Sequence, residues 1–169
     1  MFNTISSQAS KLINLTKKHQ RKQSKTKLLT ITSGKGGVGK STFTANMAYL
    51  FAKRGYKIAV IDADIGLANM QVLFNIKPKY TLFDYIEGRV KLDAVLLKTQ
   101  YENVTLIAGK SGFQYSNHSN TFVFTRIVED ILDLNKYDFL LVDTGAGLND
   151  YVKEFLQISD HIVAITTTD

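Results

Sequence analysis

The chain has 169 residues, 44% of them hydrophobic, which suits one core and one domain. It has no cysteine, excluding disulfides, a cysteine-ligated iron–sulfur cluster and a thiol nucleophile; no apolar run nears the roughly 18 to 20 residues that span a bilayer, and no signal-peptide pattern opens it. The net charge of +6 is uneven, because residues 1–27 carry seven basic side chains (Lys11, Lys17, Lys18, Arg21, Lys22, Lys25, Lys27) and no acid, leaving fourteen basic against fifteen acidic residues in the body.

In chain order, residues 1–27 read as a basic tail. Within it, Ser7-Gln8-Ala9-Ser10-Lys11-Leu12 precedes Ile13, and Ala9, Leu12 and Ile13 recur at i, i+3, i+4, the spacing of a short amphipathic helix behind serines able to cap it. Polar residues 16–27 read as a linker. Leu28 to Thr32 is an apolar, β-branched strand, followed by a glycine-rich loop and a helix over Phe43 to Ala52. Lys57 to Asp62 makes a second strand, entered through Gly55; residues 63–70 form a loop, with a short helix over Ala68 to Phe74. Pro78 punctuates a connection. Thr81 to Glu87 reads as a helix capped by Thr81 and ended by Gly88, and Val90 to Leu97 as another short helix. Asn103 to Ala108 is a third strand and residues 109–120 a loop. A helix over Phe122 to Leu134, a strand over Tyr137 to Asp143, a helix over Asp150 to Gln157 and a fifth strand over Asp160 to Thr166 complete the pattern. Strands alternating with helices predict an α/β fold with a doubly wound, mainly parallel sheet and helices on both faces.

The loop between the first strand and helix carries the chemistry. Gly34-Lys35-Gly36-Gly37-Val38-Gly39-Lys40-Ser41-Thr42 fits the phosphate-binding pattern G-x-x-x-x-G-K-[ST] in its required strand–loop–helix setting. Glycines let the backbone turn its N–H groups toward phosphate oxygens, and the helix N-terminus adds partial positive charge. Lys40 is placed to reach the β- and γ-phosphates, and the Ser41 hydroxyl to ligate Mg²⁺. The plain alternative is a glycine turn that only connects two elements. Asp143 ends an aliphatic strand, where a carboxylate is costly without a cation or hydrogen bonds. Asp62 and Asp64 follow the second strand in the same way, although aspartates are also common turn residues. His19, His118 and His161 show no metal-ligand spacing.

Lys35 goes beyond what a plain phosphate loop needs. Lys35-Gly36-Gly37-Val38-Gly39-Lys40-Ser41-Thr42 resembles the deviant Walker A loop of the ParA/MinD ATPases. Ile58-Ala59-Val60-Ile61-Asp62-Ala63-Asp64-Ile65-Gly66-Leu67-Ala68-Asn69 resembles their switch I region. Phe139-Leu140-Leu141-Val142-Asp143-Thr144-Gly145-Ala146-Gly147 resembles their Walker B strand and switch II. The resemblance covers residues 28–169 and implies a P-loop fold of the SIMIBI type that binds ATP and Mg²⁺ and forms an ATP-dependent homodimer. It implies that Lys35 contacts phosphate across the dimer and that Thr42 touches the α-phosphate. Asp143 and Asp62 would support the metal shell with Ser41, Asp64 would orient the attacking water, and Gly147 would respond to the γ-phosphate. Gly145 stands where the family usually has proline. The resemblance also implies a C-terminally incomplete domain, short by roughly a hundred residues on ordinary domain sizes.

Within the family, the tail is similar to the N-terminal helix of the flagellar number regulators of the FlhG (FleN, YlxH) type, through Gln8, Ala9 and Leu12. That likeness implies stimulation of an FlhF-type GTPase, with Gln8 assisting. Its alternative is a solvated basic arm. Two rivals share the core: a MinD-type division-site ATPase held at the inner membrane by a C-terminal helix, and a ParA-type partition ATPase binding DNA nonspecifically, which steep salt dependence would reveal. A third is an interaction module without hydrolysis. A cytoplasmic location, with peripheral contact at the inner membrane, is the expectation for the first two readings.

Overall fold

A computed structural model describes residues 24–65, 67–111 and 123–168. The segment with Gln8, Ala9 and Leu12, together with His19, Gly66 and His118, lies outside the described residues.

Six strands form one sheet in the order β3-β4-β2-β5-β1-β6. β1 (Lys27–Ser33), β2 (Ile58–Ala63), β4 (Val104–Ile107), β5 (Phe139–Ala146) and β6 (His161–Ala164) are mutually parallel; β3 (Leu97–Lys98) runs antiparallel to β4 at one edge. The central strands β2 and β5 are apolar on both faces, as a parallel sheet covered by helices requires. One hydrophobic cluster joins the sheet to α1 (Lys40–Lys53) and α2 (Met70–Leu73), with Ala48, Ala52, Met70 and Phe74 at its centre. The other joins the opposite face to α3 (Leu82–Ile86), α4 (Val123–Asp133) and α5 (Asp150–Ile158), around Phe83, Phe124, Ile131 and Phe155. The doubly wound, mainly parallel class read from the sequence is therefore the one observed.

Two local expectations differ. The helix expected over Val90 to Leu97 is a single 3-10 turn at Leu92–Val95, after which Leu96 turns extended and β3 adds to the edge of β4. Short apolar runs fit either one turn or an edge strand, and here the open edge of β4 decides. Among the described residues the sheet consequently has six strands rather than five. α2 begins at Met70, not Ala68, because the Met70 N–H is held by Asp62. In α1 the stripe facing the sheet is Lys40, Thr44, Ala48 and Ala52, while the larger Phe43 and Leu50 face outward. After Lys40, the small residues Thr44, Ala48 and Ala52, four apart, let the helix sit close to the sheet.

The cap expected at Thr81 is present, as a capping box with Asp84: the Thr81 N–H and hydroxyl both donate to Asp84 Oδ2, at 2.7 and 2.9 Å. Gly88, with φ 72°, lies two residues past α3.

Candidate functional site

Register brings the site together. In the β2–β5 ladder Asp62 pairs with Asp143, and in the β1–β5 ladder Ile31 pairs with Asp143 before the register shifts near Ser33. The carboxyl ends of three adjacent strands thus deliver Asp62, Asp143 and the glycine loop to one point, where open α/β sheets bind ligands.

The loop leaves β1 at Ser33, whose hydroxyl donates to the Lys35 carbonyl at 2.7 Å. Gly37 and Gly39 adopt φ 75° and 90°, and no atom lies within 4 Å of a Cβ built on either. Backbone conformation, not crowding, therefore demands these glycines. Gly39 occupies the N-cap of α1, and its carbonyl accepts the first helical bond from the Phe43 N–H at 2.8 Å. Gly34 to Gly37 are exposed, Val38 half-buried and Thr42 exposed. The two lysines differ sharply: Lys35 is exposed, whereas Lys40 lies at the helix start with 6% exposure.

Beneath the loop, the Ser41 hydroxyl donates to Asp143 Oδ2 at 2.5 Å. The Thr44 hydroxyl lies 2.9 Å from the Lys40 carbonyl and 3.3 Å from Asp143 Oδ1. Burial pushes the Asp143 carboxyl up from its ordinary pKa, against the hydrogen bond from Ser41 and the charge of Lys40. Burial also pushes Asp62 up, to about 7; the Met70 N–H opposes this and the neighbouring Asp143 adds to it. Asp62 accepts from the Met70 N–H at 3.0 Å and, through its other oxygen, from the Asp64 N–H at 3.3 Å. Asp64 sits higher, half-buried, and its Oδ1 accepts from the Leu67 N–H at 3.0 Å.

The loop after β5 closes the far side. Gly147, at φ 85°, donates its N–H to the Ser33 carbonyl at 3.0 Å, tying this loop to the root of the glycine loop. The structure so gathers Lys40, Ser41, Asp62, Asp64, Asp143 and Gly147 around the glycine loop. His161 stays on the exposed β6 edge, away from them.

Two residues that sequence reading passed over belong here. Thr44 is wholly buried against Asp143; its position one turn after Lys40 was the available signal. Gly109 follows β4, and a Cβ there would fall 2.6 Å from the Asp62 carbonyl oxygen and 3.3 Å from the Ala68 side chain. Only the assembled sheet reveals that approach.

The donors at the floor, one hydroxyl and two carboxylates, are all oxygen, which suits a hard cation such as Mg²⁺ that keeps several waters. Among the described residues no set of three His, Cys, Asp or Glu side chains forms a dedicated metal cage. None of the described helices is long and apolar enough to cross a membrane.

Residues 26–169 match the family described as AAA domain. The flagellum site-determining protein YlxH of Helicobacter pylori is 39% identical over 98% of this chain and 58% of its own length. The antiactivator FleN of Pseudomonas aeruginosa is 36% identical over 82% of this chain and 49% of its own length. The septum site-determining protein MinD of Pyrococcus horikoshii, solved with Mg-ADP, superposes with a TM-score of 0.75 at 28% identity, covering 85% of this chain and 59% of that one. The chain thus spans roughly half to three-fifths of these relatives. Its phosphate loop, sheet order and relatives agree: the chain belongs to the AAA-domain family of ParA/MinD-type P-loop ATPases and is similar within it to the flagellar regulators YlxH and FleN.

Proposed function

We propose that this chain forms the nucleotide-binding part of an ATP-hydrolysing dimerisation switch that regulates flagellar number and placement. The observation that carries the reading is the floor of the site, where Lys40, Ser41 and Asp143 are fixed beneath the glycine loop. Backbone N–H groups of Gly34 to Thr42 and the Lys40 ammonium would hold the phosphates, with Lys35 reaching across to the nucleotide of a second subunit. Ser41 would ligate Mg²⁺ directly, and Asp143 and Asp62 would hold its water shell; when bound, the ion supplies neutralisation of β- and γ-phosphate charge. Asp64 would align a water against the γ-phosphorus. The new P–O bond forms as the bond to the β,γ-bridging oxygen breaks, giving ADP and inorganic phosphate. Gly147, tied to Ser33, would sense loss of the γ-phosphate. The flagellar role rests on the similarity to YlxH and FleN, and an FlhF-type GTPase engaged through Gln8, Ala9 and Leu12 is the partner it suggests. Cytoplasmic placement, with contact at the inner membrane, completes the reading.

The test is calorimetry of Mg·ATP binding with light scattering, on this chain and on a chain extended to the length of its relatives. Binding and ATP-dependent dimerisation by the extended chain support the switch. Absence of binding in both overturns it.

A further inference from the structure

Above the floor, β5 leaves the sheet through Gly145, which is buried. A Cβ built there would lie 3.4 Å from Asp64 Oδ1 and 3.4 Å from the Tyr151 hydroxyl, with Asp64 Cγ at 3.7 Å. The bare glycine is therefore a slot with the Asp64 carboxylate on one wall and a phenol on the other.

Tyr151 does not reach this place by chance of an exposed rotamer. It sits in the first turn of α5, half-buried, and its ring packs on the buried Phe124 with centroids 6.0 Å apart. Asn149 caps α5 by accepting the Val152 N–H at 3.0 Å. Glu154 pins α5 to α4 by accepting both the N–H and the hydroxyl of Thr125, each at 2.7 Å. Burial raises the Tyr151 pKa, a hydrogen bond from the Asn149 side chain opposes this, and the charge of Asp64 adds to it, so the carboxylate's field reaches the phenol. Phenylalanine would pack on Phe124 equally well; the Asn149 amide serves the phenol oxygen, and the hydroxyl proton still calls for an acceptor, since burying a polar group costs free energy unless it is bonded.

We propose that Tyr151 is a positioning residue for Asp64: its hydroxyl, admitted by the side-chain-free Gly145, holds the carboxylate in the orientation that aligns the attacking water. Because Tyr151 rides on α5, directly after the Gly147 loop, this orientation follows the state of that loop. The inference rests on the reading of Asp64 as the water-orienting carboxylate.

The experiment uses the chain extended to the length of its relatives and compares its wild type with Tyr151→Phe, Gly145→Ala, the double variant and Asp64→Ala, by Mg·ATP calorimetry and single-turnover hydrolysis. Alanine at position 145 meets only ordinary contact distances, so the fold tolerates it. Tyr151→Phe is expected to bind Mg·ATP within about twofold of wild type and to hydrolyse it about 3- to 10-fold more slowly, the size of one hydrogen bond. Gly145→Ala, which puts a methyl between the two groups, is expected to do the same, and the double variant to be no slower than the slower single one. A ring that only packs would leave hydrolysis unmoved by phenylalanine. The same split is expected without turnover: Tyr151→Phe should weaken binding of Mg·ADP with aluminium fluoride about 3- to 10-fold while sparing Mg·ADP. Wild-type behaviour of Tyr151→Phe in both assays, or multiplying losses in the double variant, overturns the inference alone when Asp64→Ala is inactive. Full hydrolysis by Asp64→Ala, or no Mg·ATP binding by wild type, overturns the underlying reading and the inference with it.

Discussion

The floor and the rim of this site are built on opposite terms. On the floor, Lys40, Asp62 and Asp143 are 6%, 1% and 1% exposed, held by strand register and by hydrogen bonds from Ser41 and Met70. On the rim, Lys35 is exposed, and Leu67 and Leu148 are 68% and 66% exposed. Burying a charge costs several kcal/mol unless its partners are already in place, so the floor has to be complete within one chain. The rim carries no such demand. On the proposed reading, its exposed Lys35, Leu67 and Leu148 would meet a second subunit. Substitutions on the floor should therefore strike binding and folding together, and substitutions on the rim should strike association.

The sharpest way to break this division is the lysine pair. Lys40→Ala removes the cation that faces Asp143 from below the loop, and Mg·ATP binding is expected to fall at least about 100-fold, to the limit of calorimetry. Lys35→Ala is expected to keep binding within about threefold yet to give no ATP-dependent dimer in light scattering. If Lys35→Ala loses binding as Lys40→Ala does, floor and rim are not separate.

The floor also leaves a signature in pH. Asp62 has a folded pKa near 7, above its ordinary value, so between about pH 4 and 7 the native protein binds more protons than the unfolded chain. Stability without nucleotide or Mg²⁺ is then expected to fall as pH rises through that window and to level off above it. Asp143, raised by burial, slopes the same way. Asp84 is lowered, chiefly by the Thr81 N–H, and acts only at more acid pH. At about 1.4 kcal/mol per unit, the loss to Asp62 is on the order of 2 to 4 kcal/mol. Urea unfolding from pH 4.5 to 8 measures it, and Asp62→Asn should remove most of the slope. A stability that climbs across this window would refute the account of the floor.

The sequence made the floor legible and much of the rest was not. Lys40, Ser41, Asp62 and Asp143 stand at fixed offsets from strands whose apolar runs are unmistakable, and a parallel sheet must bring such strand ends together. β3 could not be read, because two residues of strand are specified by the free edge of β4 rather than by their own pattern. Gly109 could not be read either, since its need for glycine comes from the Asp62 carbonyl, 47 positions earlier in sequence (109 − 62). Gly109→Ala tests that reading of the floor's outer wall. The methyl must push Asp62 or Ala68 aside, at an expected cost of about 1 to 3 kcal/mol in urea unfolding, together with weaker Mg²⁺ dependence of nucleotide binding.

The smallest predicted effect separates floor from rim most finely. Thr44 and Thr42 lie two residues apart on α1, yet Thr44 is wholly buried against Asp143 and Thr42 faces solvent. Thr44→Val keeps the shape and removes the hydroxyl, so Asp143 Oδ1 loses a 3.3 Å neighbour while Ser41 keeps the other oxygen. The hydroxyl also donates to the Lys40 carbonyl at 2.9 Å, a bond within the helix whose loss is partly offset by valine's apolar burial. The net cost is expected to be about 1 kcal/mol of stability in urea, against less than about 0.5 kcal/mol for Thr42→Val. Binding should reverse the order. Thr42→Val would weaken Mg·ATP through the lost α-phosphate contact, whereas Thr44→Val would act only through Asp143 and mainly on the Mg²⁺ requirement. Equal effects of the two valines on stability would mean that Asp143 is held by Ser41 alone, and that the floor is narrower than its burial suggests.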